Sequence, residues 1–163
     1  MCGICGQLRF DGKKVSSKSL DKMMSKLARR GPDSSGKWID RSIGFGHQRL
    51  SIIDLSNLGS QPMVDQKLGL TLVFNGTIYN YKSLRALLIS YGYIFFSNSD
   101  TEVIIKAYHY WGEVCLERLD GMFAFAIWDE ASQKLFIARD RMGIKPFYFN
   151  ASSKAFTFAS NSQ

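Results

Sequence analysis

The second residue is the first with chemistry to offer. Cys2 follows Met1, and a small residue at position two generally permits removal of the initiator methionine. Cys2 would then carry a thiol and a free α-amine. An α-amine titrates at about 7.7–8.0, so near neutrality it can take up the thiol proton. N-terminal nucleophiles activated this way are an established hydrolytic solution. The same residue reads otherwise as a small buried cysteine. Cys2-Gly3-Ile4-Cys5 is also a C-x-x-C. A redox pair of that kind opens a helix, where the thiol is activated. Here it leads into a strand-like run, so redox chemistry is not expected. Cys115, His47 and His109 stand at no zinc-ligand spacing relative to it, so no metal site is expected.

Four further segments carry polar groups among apolar ones. Arg29-Arg30-Gly31-Pro32-Asp33-Ser34-Ser35-Gly36 is turn-rich and lacks the lysine of a phosphate loop, so it reads as a helix stop. In Gly46-His47-Gln48-Arg49-Leu50-Ser51-Ile52-Ile53-Asp54, a buried Arg49 needs a partner. Its planar fork suits a substrate carboxylate or a structural salt bridge equally well. His47 reads as a core histidine. In Phe74-Asn75-Gly76-Thr77-Ile78-Tyr79, an Asn-Gly after an apolar strand usually turns the chain. It can also aim a side-chain amide and a backbone N–H at one point, as an oxyanion hole requires. Asp100 precedes an apolar helical stripe and either caps that helix or holds a substrate ammonium.

The elements that must position these groups are legible in outline. Leu20, Met23, Met24, Leu27 and Ala28 recur at helical spacing after Ser19, the expected N-cap. Leu84, Leu87, Leu88 and Tyr91 form a second stripe closed by Gly92. Val103, Ile104, Ala107, Tyr108 and Trp111 form a third, opened by a capping box, Ser99 to Glu102, and closed by Gly112. Strands are expected over 4–10, 36–39, 43–48, 69–74, 122–128, 135–139, 146–150 and 155–159. The run Met-Phe-Ala-Phe-Ala-Ile-Trp at 122–128 is apolar on both alternating faces, as in a sheet covered on both sides. The polar Asp129–Gln133 segment after it predicts a hairpin. Grouped strands with helices in blocks predict an α+β fold.

Length and composition narrow the function classes. The 163 residues are 45% hydrophobic and 21% charged, which suits one globular domain. No apolar run approaches the ~20 residues of a membrane span, and the N-terminus is not a signal peptide. Cytoplasmic residence is the expectation, with three sparse cysteines arguing against a disulfide framework. The net charge of +7 lies within residues 1–49, where eleven Lys/Arg face four Asp. A basic segment invites a nucleic-acid reading, but no recognised binding motif accompanies it.

In order along the chain, MCGICG, RRGPDSSG, GHQRLSIIDLS, SQPM, FNGTIYNY, SDTEVII, LDGMFAFAIWD and ARDRMGIKPFY resemble the class II glutamine amidotransferase domain of the asparagine synthetase family. The resemblance implies a four-layer αββα sandwich of two antiparallel sheets between helices, of the N-terminal-nucleophile hydrolase type. It implies release of ammonia from L-glutamine. Cys2 would be the nucleophile and Asn75 and Gly76 the oxyanion hole. Arg49 would bind the glutamine α-carboxylate, with Leu50, Ser51, Ile52 and Ile53 lining the pocket. Thr77 would also touch substrate, and Asp100 would bind its α-ammonium. No cofactor is expected in this domain; ATP and Mg²⁺ are expected only for a synthetase domain. The partners implied are L-glutamine and that synthetase domain, with a homo-oligomer as a further association, and neither nucleic acid nor membrane.

Three departures qualify the resemblance. Asparagine synthetases usually read FNGEIYNY, and here Thr77 stands in place of the Glu. With the flanking LGLTLVFNG and GYIFFSNSDTEVIIKAYHYWG, this resembles the N-acetylglutaminylglutamine amidotransferase branch. Family members continue into a synthetase domain with an SGG-type loop, so 1–163 is expected to be a clipped amidotransferase domain or a short protein. A retained Met1 would block the Cys2 amine. Thr77 and Met1 together motivate an alternative: a glutamine-binding or regulatory module without turnover.

Overall fold

The computed structural model describes residues 1–162. Its elements, in order, are β1 (Gly3–Arg9), α1 (Ser17–Leu27), β2 (Ser34–Asp40), β3 (Ile43–Arg49), β4 (Met63–Asp65), β5 (Leu70–Ile78), α2 (Tyr81–Ser90), α3 (Asp100–Trp111), β6 (Gly121–Asp129), β7 (Lys134–Arg139), β8 (Tyr148–Ala151) and β9 (Ala155–Ala159). The strands form a five-stranded sheet, β2-β3-β1-β9-β8, and a four-stranded sheet, β4-β5-β6-β7. Every pairing is antiparallel.

The period of two along each strand divides the core into three layers. Ile4, Ile43, Phe45, Val73, Ala124, Ala126, Trp128 and Phe158 pack between the sheets. On the outer face of the first sheet, Cys5 meets Leu20, Met24 and Leu27 of α1. On the outer face of the second, Leu72, Phe74, Phe123, Phe125 and Ile127 meet α2 and α3. The expected αββα sandwich is therefore present. β6 shows why its sequence is apolar throughout: Phe123, Phe125 and Ile127 face the helices while Ala124, Ala126 and Trp128 face the other sheet. The hairpin after β6 also forms. Asp129 Oδ1 accepts from the N–H groups of Ala131 and Ser132, and Gln133 takes a left-handed φ of 53°.

Several local expectations change. The first helix is capped by Ser16, whose Oγ accepts from Ser19 N–H, so Ser19 lies one turn inside. Ala28 belongs to a short 3₁₀ turn, Ala28–Arg30, and not to α1. At α3, Ser99 Oγ does accept from Glu102 N–H, but the Glu102 carboxylate does not return to Ser99. It takes the N–H groups of Phe96 and Ser97 instead, and so caps the incoming loop. Asn75-Gly76 is not a turn. β5 runs through it to Ile78, with Asn75 opposite Ala124 and Gly76 opposite Phe123 of β6. Gly76 is needed because β6 lies so close: a Cβ there would stand 2.2 Å from the Met122 carbonyl oxygen. Gly92, by contrast, follows α2 with φ 92°, the role its position suggested. The three-residue strand β4 was not expected; it is too short to show a period.

Candidate active site

The functional side chains are aimed by strand alternation. Ile4 faces the space between the sheets and Cys5 faces α1. Cys2, two residues before Ile4, continues the inner face. Phe45 is an inner residue, so His47 and Arg49 follow it inward; Val73 is inner, so Asn75 and Thr77 follow. These strand ends meet where the two sheets part, in a cleft of about 170 Å³. All ten residues singled out from the sequence line it: Cys2, Arg49, Leu50, Ser51, Ile52, Ile53, Asn75, Gly76, Thr77 and Asp100. Ile52 does so from an exposed position, 69% accessible.

Alternation also separates Cys2 from Cys5. Cys2 stands just before β1 on the cleft side while Cys5 faces α1, and burial pushes Cys5 up to about 12. Cys5 is thus a packing residue. His47 is buried between the sheets, and burial holds it neutral, down to about 3. Among the described residues, no three His, Cys, Asp or Glu gather closely enough to hold a metal ion.

At the cleft, the Leu50 N–H donates to Cys2 Sγ at 3.4 Å, and the thiol faces Leu50 O at 3.5 Å. Arg49 forms no salt bridge among the described residues. Its guanidinium donates to the carbonyl oxygens of Asp54 and Ser56, at 3.0 Å for Ser56. It thereby folds the 50–56 loop over the cleft. Asp54 completes that loop. Burial opposes its ionisation, but the Ser56 hydroxyl and the N–H groups of Ser56 and Asn98 hold it below the usual carboxylate range.

Two groups at the cleft lack the partner their chemistry calls for. Asn75 is 1% exposed, and its Nδ2 has no hydrogen-bond partner among the described residues. An unpaired buried donor costs about 1–3 kcal/mol, so such groups are rare in the absence of a role. Asp100 is 4% exposed and has no cation paired with it among the described residues. Its Oδ2 accepts from Ile78 N–H at 3.0 Å, which ties the start of α3 to the end of β5. Burial pushes its carboxyl up to about 6.

A family model described as a glutamine amidotransferase domain matches residues 1–163. The chain belongs to the glutamine amidotransferase domain family. Among relatives of this amidotransferase domain is the protein named glutamine-hydrolyzing asparagine synthetase 3 of Bacillus subtilis strain 168. It is 42% identical over 163 residues, covering 98% of this chain and 26% of the relative. The putative glutamine-hydrolyzing asparagine synthetase 2 of Methanocaldococcus jannaschii is 39% identical over 178 residues, covering 98% of this chain and 34% of the relative. The domain therefore spans about a quarter to a third of these relatives. Among solved structures, the glutamine phosphoribosylpyrophosphate amidotransferase of B. subtilis, complexed with ADP and GMP, shares the fold. Its TM-score is 0.81 at 22% identity, over 98% of this chain and 42% of that one.

Residues that sequence reasoning passed over line the amidotransferase cleft, as Gln61 and Lys145 do, or brace it from outside, as Arg30 and Asp33 do. Arg30, read as part of a helix stop, donates from Nε to the Cys2 carbonyl at 3.2 Å, and its Nη2 is buried without a partner. Asp33 accepts from Ser51 N–H at 2.8 Å and so anchors the same loop that Arg49 folds. Gln61 accepts from Phe74 N–H and donates to Thr101, bracing β5 against α3. Lys145 reaches the cleft from the β7–β8 connection. The available signal was the richness of RRGPDS in paired polar types, but nothing local shows where such side chains point.

Proposed function

We propose that Cys2, freed by removal of Met1, hydrolyses the side-chain amide of L-glutamine. The thiolate attacks the amide carbon while the α-amine takes the thiol proton. The C–N bond then breaks, that proton passes to the departing nitrogen, and ammonia leaves a thioester on Cys2. Water, deprotonated by the same amine, adds to the thioester carbon; the C–S bond then breaks, glutamate leaves, and the proton returns from the amine to the Cys2 thiolate. The observation that carries this reading is complementarity at the cleft. A buried amide donor without an acceptor and a buried carboxylate without a cation stand beside an N-terminal cysteine. Asn75 Nδ2 suits the developing oxyanion, with Gly76 beside it. Asp100 suits the substrate ammonium. Arg49 has five N–H donors and spends some on loop carbonyls, which leaves others for the α-carboxylate. Leu50, Ser51, Ile52, Ile53 and Thr77 line the pocket.

The reading extends to a synthetase part that takes up the released ammonia, with ATP and Mg²⁺ belonging to that part and no cofactor in this domain; the names of the relatives, glutamine-hydrolyzing asparagine synthetases, support it. Thr77 and its flanking stretches are what the N-acetylglutaminylglutamine amidotransferase branch has in its favour as the alternative. Cytoplasmic residence completes the reading, supported by three unpaired thiols. No helix of the described residues is long and apolar enough to cross a membrane. The test is glutamate release by protein shown by intact mass to lack Met1. Cys2→Ala should bind glutamine and release none. Undiminished hydrolysis by that variant would sink the mechanism.

A further inference from the structure

The β7–β8 connection is held more firmly than a surface loop requires. Asp140 accepts from the N–H groups of Ile144 at 2.8 Å and Lys145 at 3.0 Å. Its Oδ2 also accepts from Phe123 N–H of β6 at 3.2 Å. Burial opposes ionisation of Asp140, but those N–H groups hold it below the usual carboxylate range. From the other side, Arg139 donates Nε to Lys145 O and Nη2 to Gly143 O, each at 2.6 Å. One carboxylate and one guanidinium thus clamp both the donors and the acceptors of the same short segment.

What the clamp positions is the Lys145 side chain. It is 5% exposed and lines the cleft that holds Cys2. Among the described residues its Nζ has one partner, Met1 Sδ, at 3.2 Å. A thioether is a weak acceptor for a buried ammonium. Asp140 gives no side-chain contact in return, because its oxygens face backbone N–H groups. The titratable and charged groups around Lys145 are Arg30 from the 3₁₀ turn, Cys2 just before β1, and Asp140 from its own loop. Burial and Arg30 lower its basicity. When Met1 departs, the ammonium loses this partner, and the group newly freed in the same cleft is the Cys2 α-amine.

We infer that Lys145 is a positioning residue for the N-terminal base: in the processed chain its Nζ–H donates to the Cys2 α-amine lone pair and keeps that amine unprotonated. An amine accepts a hydrogen bond only when neutral, and a neighbouring like charge disfavours its ammonium form. A base ready to take a thiol proton near neutral pH follows. The inference rests on the Cys2 nucleophile reading, and its test separates the two.

Processed protein labelled with ¹⁵N-cysteine reports the Cys2 amine directly by NMR titration. Lys145→Met should raise the amine midpoint by about one pH unit, and Lys145→Arg should leave it in place. The acid limb of kcat/KM should move by the same amount, with roughly a tenfold loss at pH 7 that recovers above pH 9. KM should stay unchanged. An amine midpoint equal in wild type and Lys145→Met overturns the inference, as does a loss uniform across pH. If Lys145→Met does not fold by circular dichroism, the same titration on Lys145→Gln decides. Hydrolysis by Cys2→Ala would defeat the nucleophile reading instead, while the amine midpoint would still report on Lys145.

Discussion

Replacing Asp100 with Asn should stabilise the empty domain and impair its use of glutamine. Asp100 is 4% exposed, and burial raises its carboxyl from 3.8 to about 6. A group that titrates near 6 when folded and near 3.8 when unfolded penalises the folded state by about 3 kcal/mol once ionised. The folded pKa is the higher one, so the folded chain binds more protons between those limits. The penalty is absent below about pH 4, grows from pH 4 to 6, and is complete above pH 6. Asn keeps an oxygen for Ile78 N–H and carries no charge. In thermal melts at pH 8, Asp100→Asn should therefore gain up to about 3 kcal/mol, or about 6–12 °C for a domain of this size. At pH 4 the gain should vanish. Substrate reverses the balance. A glutamine ammonium would supply the missing counterion through a charge-assisted bond of about 1.5–3 kcal/mol. Glutamine affinity, measured by calorimetry on a Cys2→Ala background so that nothing turns over, should fall about 10- to 150-fold in Asp100→Asn. In the Asp100 parent it should weaken about tenfold from pH 8 to pH 5, where one carboxyl in ten is ionised. A variant that melts lower than wild type at pH 8, or that binds glutamine normally, would refute the assignment.

Thr77→Glu introduces the carboxylate of the FNGEIYNY pattern that the asparagine synthetase resemblance leads one to expect here. It should tighten glutamine binding about tenfold if that side chain reaches the ammonium, and an unchanged Kd by the same calorimetry would show that it does not. Gly76→Ala places a Cβ 2.2 Å from the Met122 carbonyl oxygen, so β5 and β6 must separate. A destabilisation of about 1–3 kcal/mol in urea melts is expected, with loss of hydrolysis because Asn75 moves with the strand. Wild-type stability with wild-type rate would show that the close approach is not needed.

Much of this architecture was readable because strands and helices announce themselves locally. The apolar run from Met122 to Trp128 foretold a sheet covered on both faces, and the structure divides its side chains between two cores. The site residues were readable for a different reason: the ordered motifs around Cys2, Arg49, Asn75 and Asp100 resemble one family. What misled was local preference overridden from afar. Asn75-Gly76 has turn chemistry, yet nine residues of pairing with β6 hold it extended. Ser19 and Ser16 are equivalent caps by type, and the Ser16 Oγ contact decides between them. Arg49 pairs with two loop carbonyls and not with a structural carboxylate, because the 50–56 loop folds back onto it.

Sequence alone determined which residues could do chemistry and, through the period of two, which strand faces they share. A side chain's direction along a strand depends on its own neighbours, so Cys2 falls with Ile4, Arg49 with Phe45 and Asn75 with Val73 whatever lies opposite. Tertiary structure decided that β1 and β3 lie side by side in one sheet, that their shared face looks at that of β5 in the other, and that their ends open into a single cleft. It also decided that Asp100 is dry enough to titrate near 6 and that Lys145, 144 positions from the start of the chain, contacts Met1. Burial and electrostatic environment are properties of what packs around a group. Here the packing comes from segments far away in the chain, joined only when the two sheets stack.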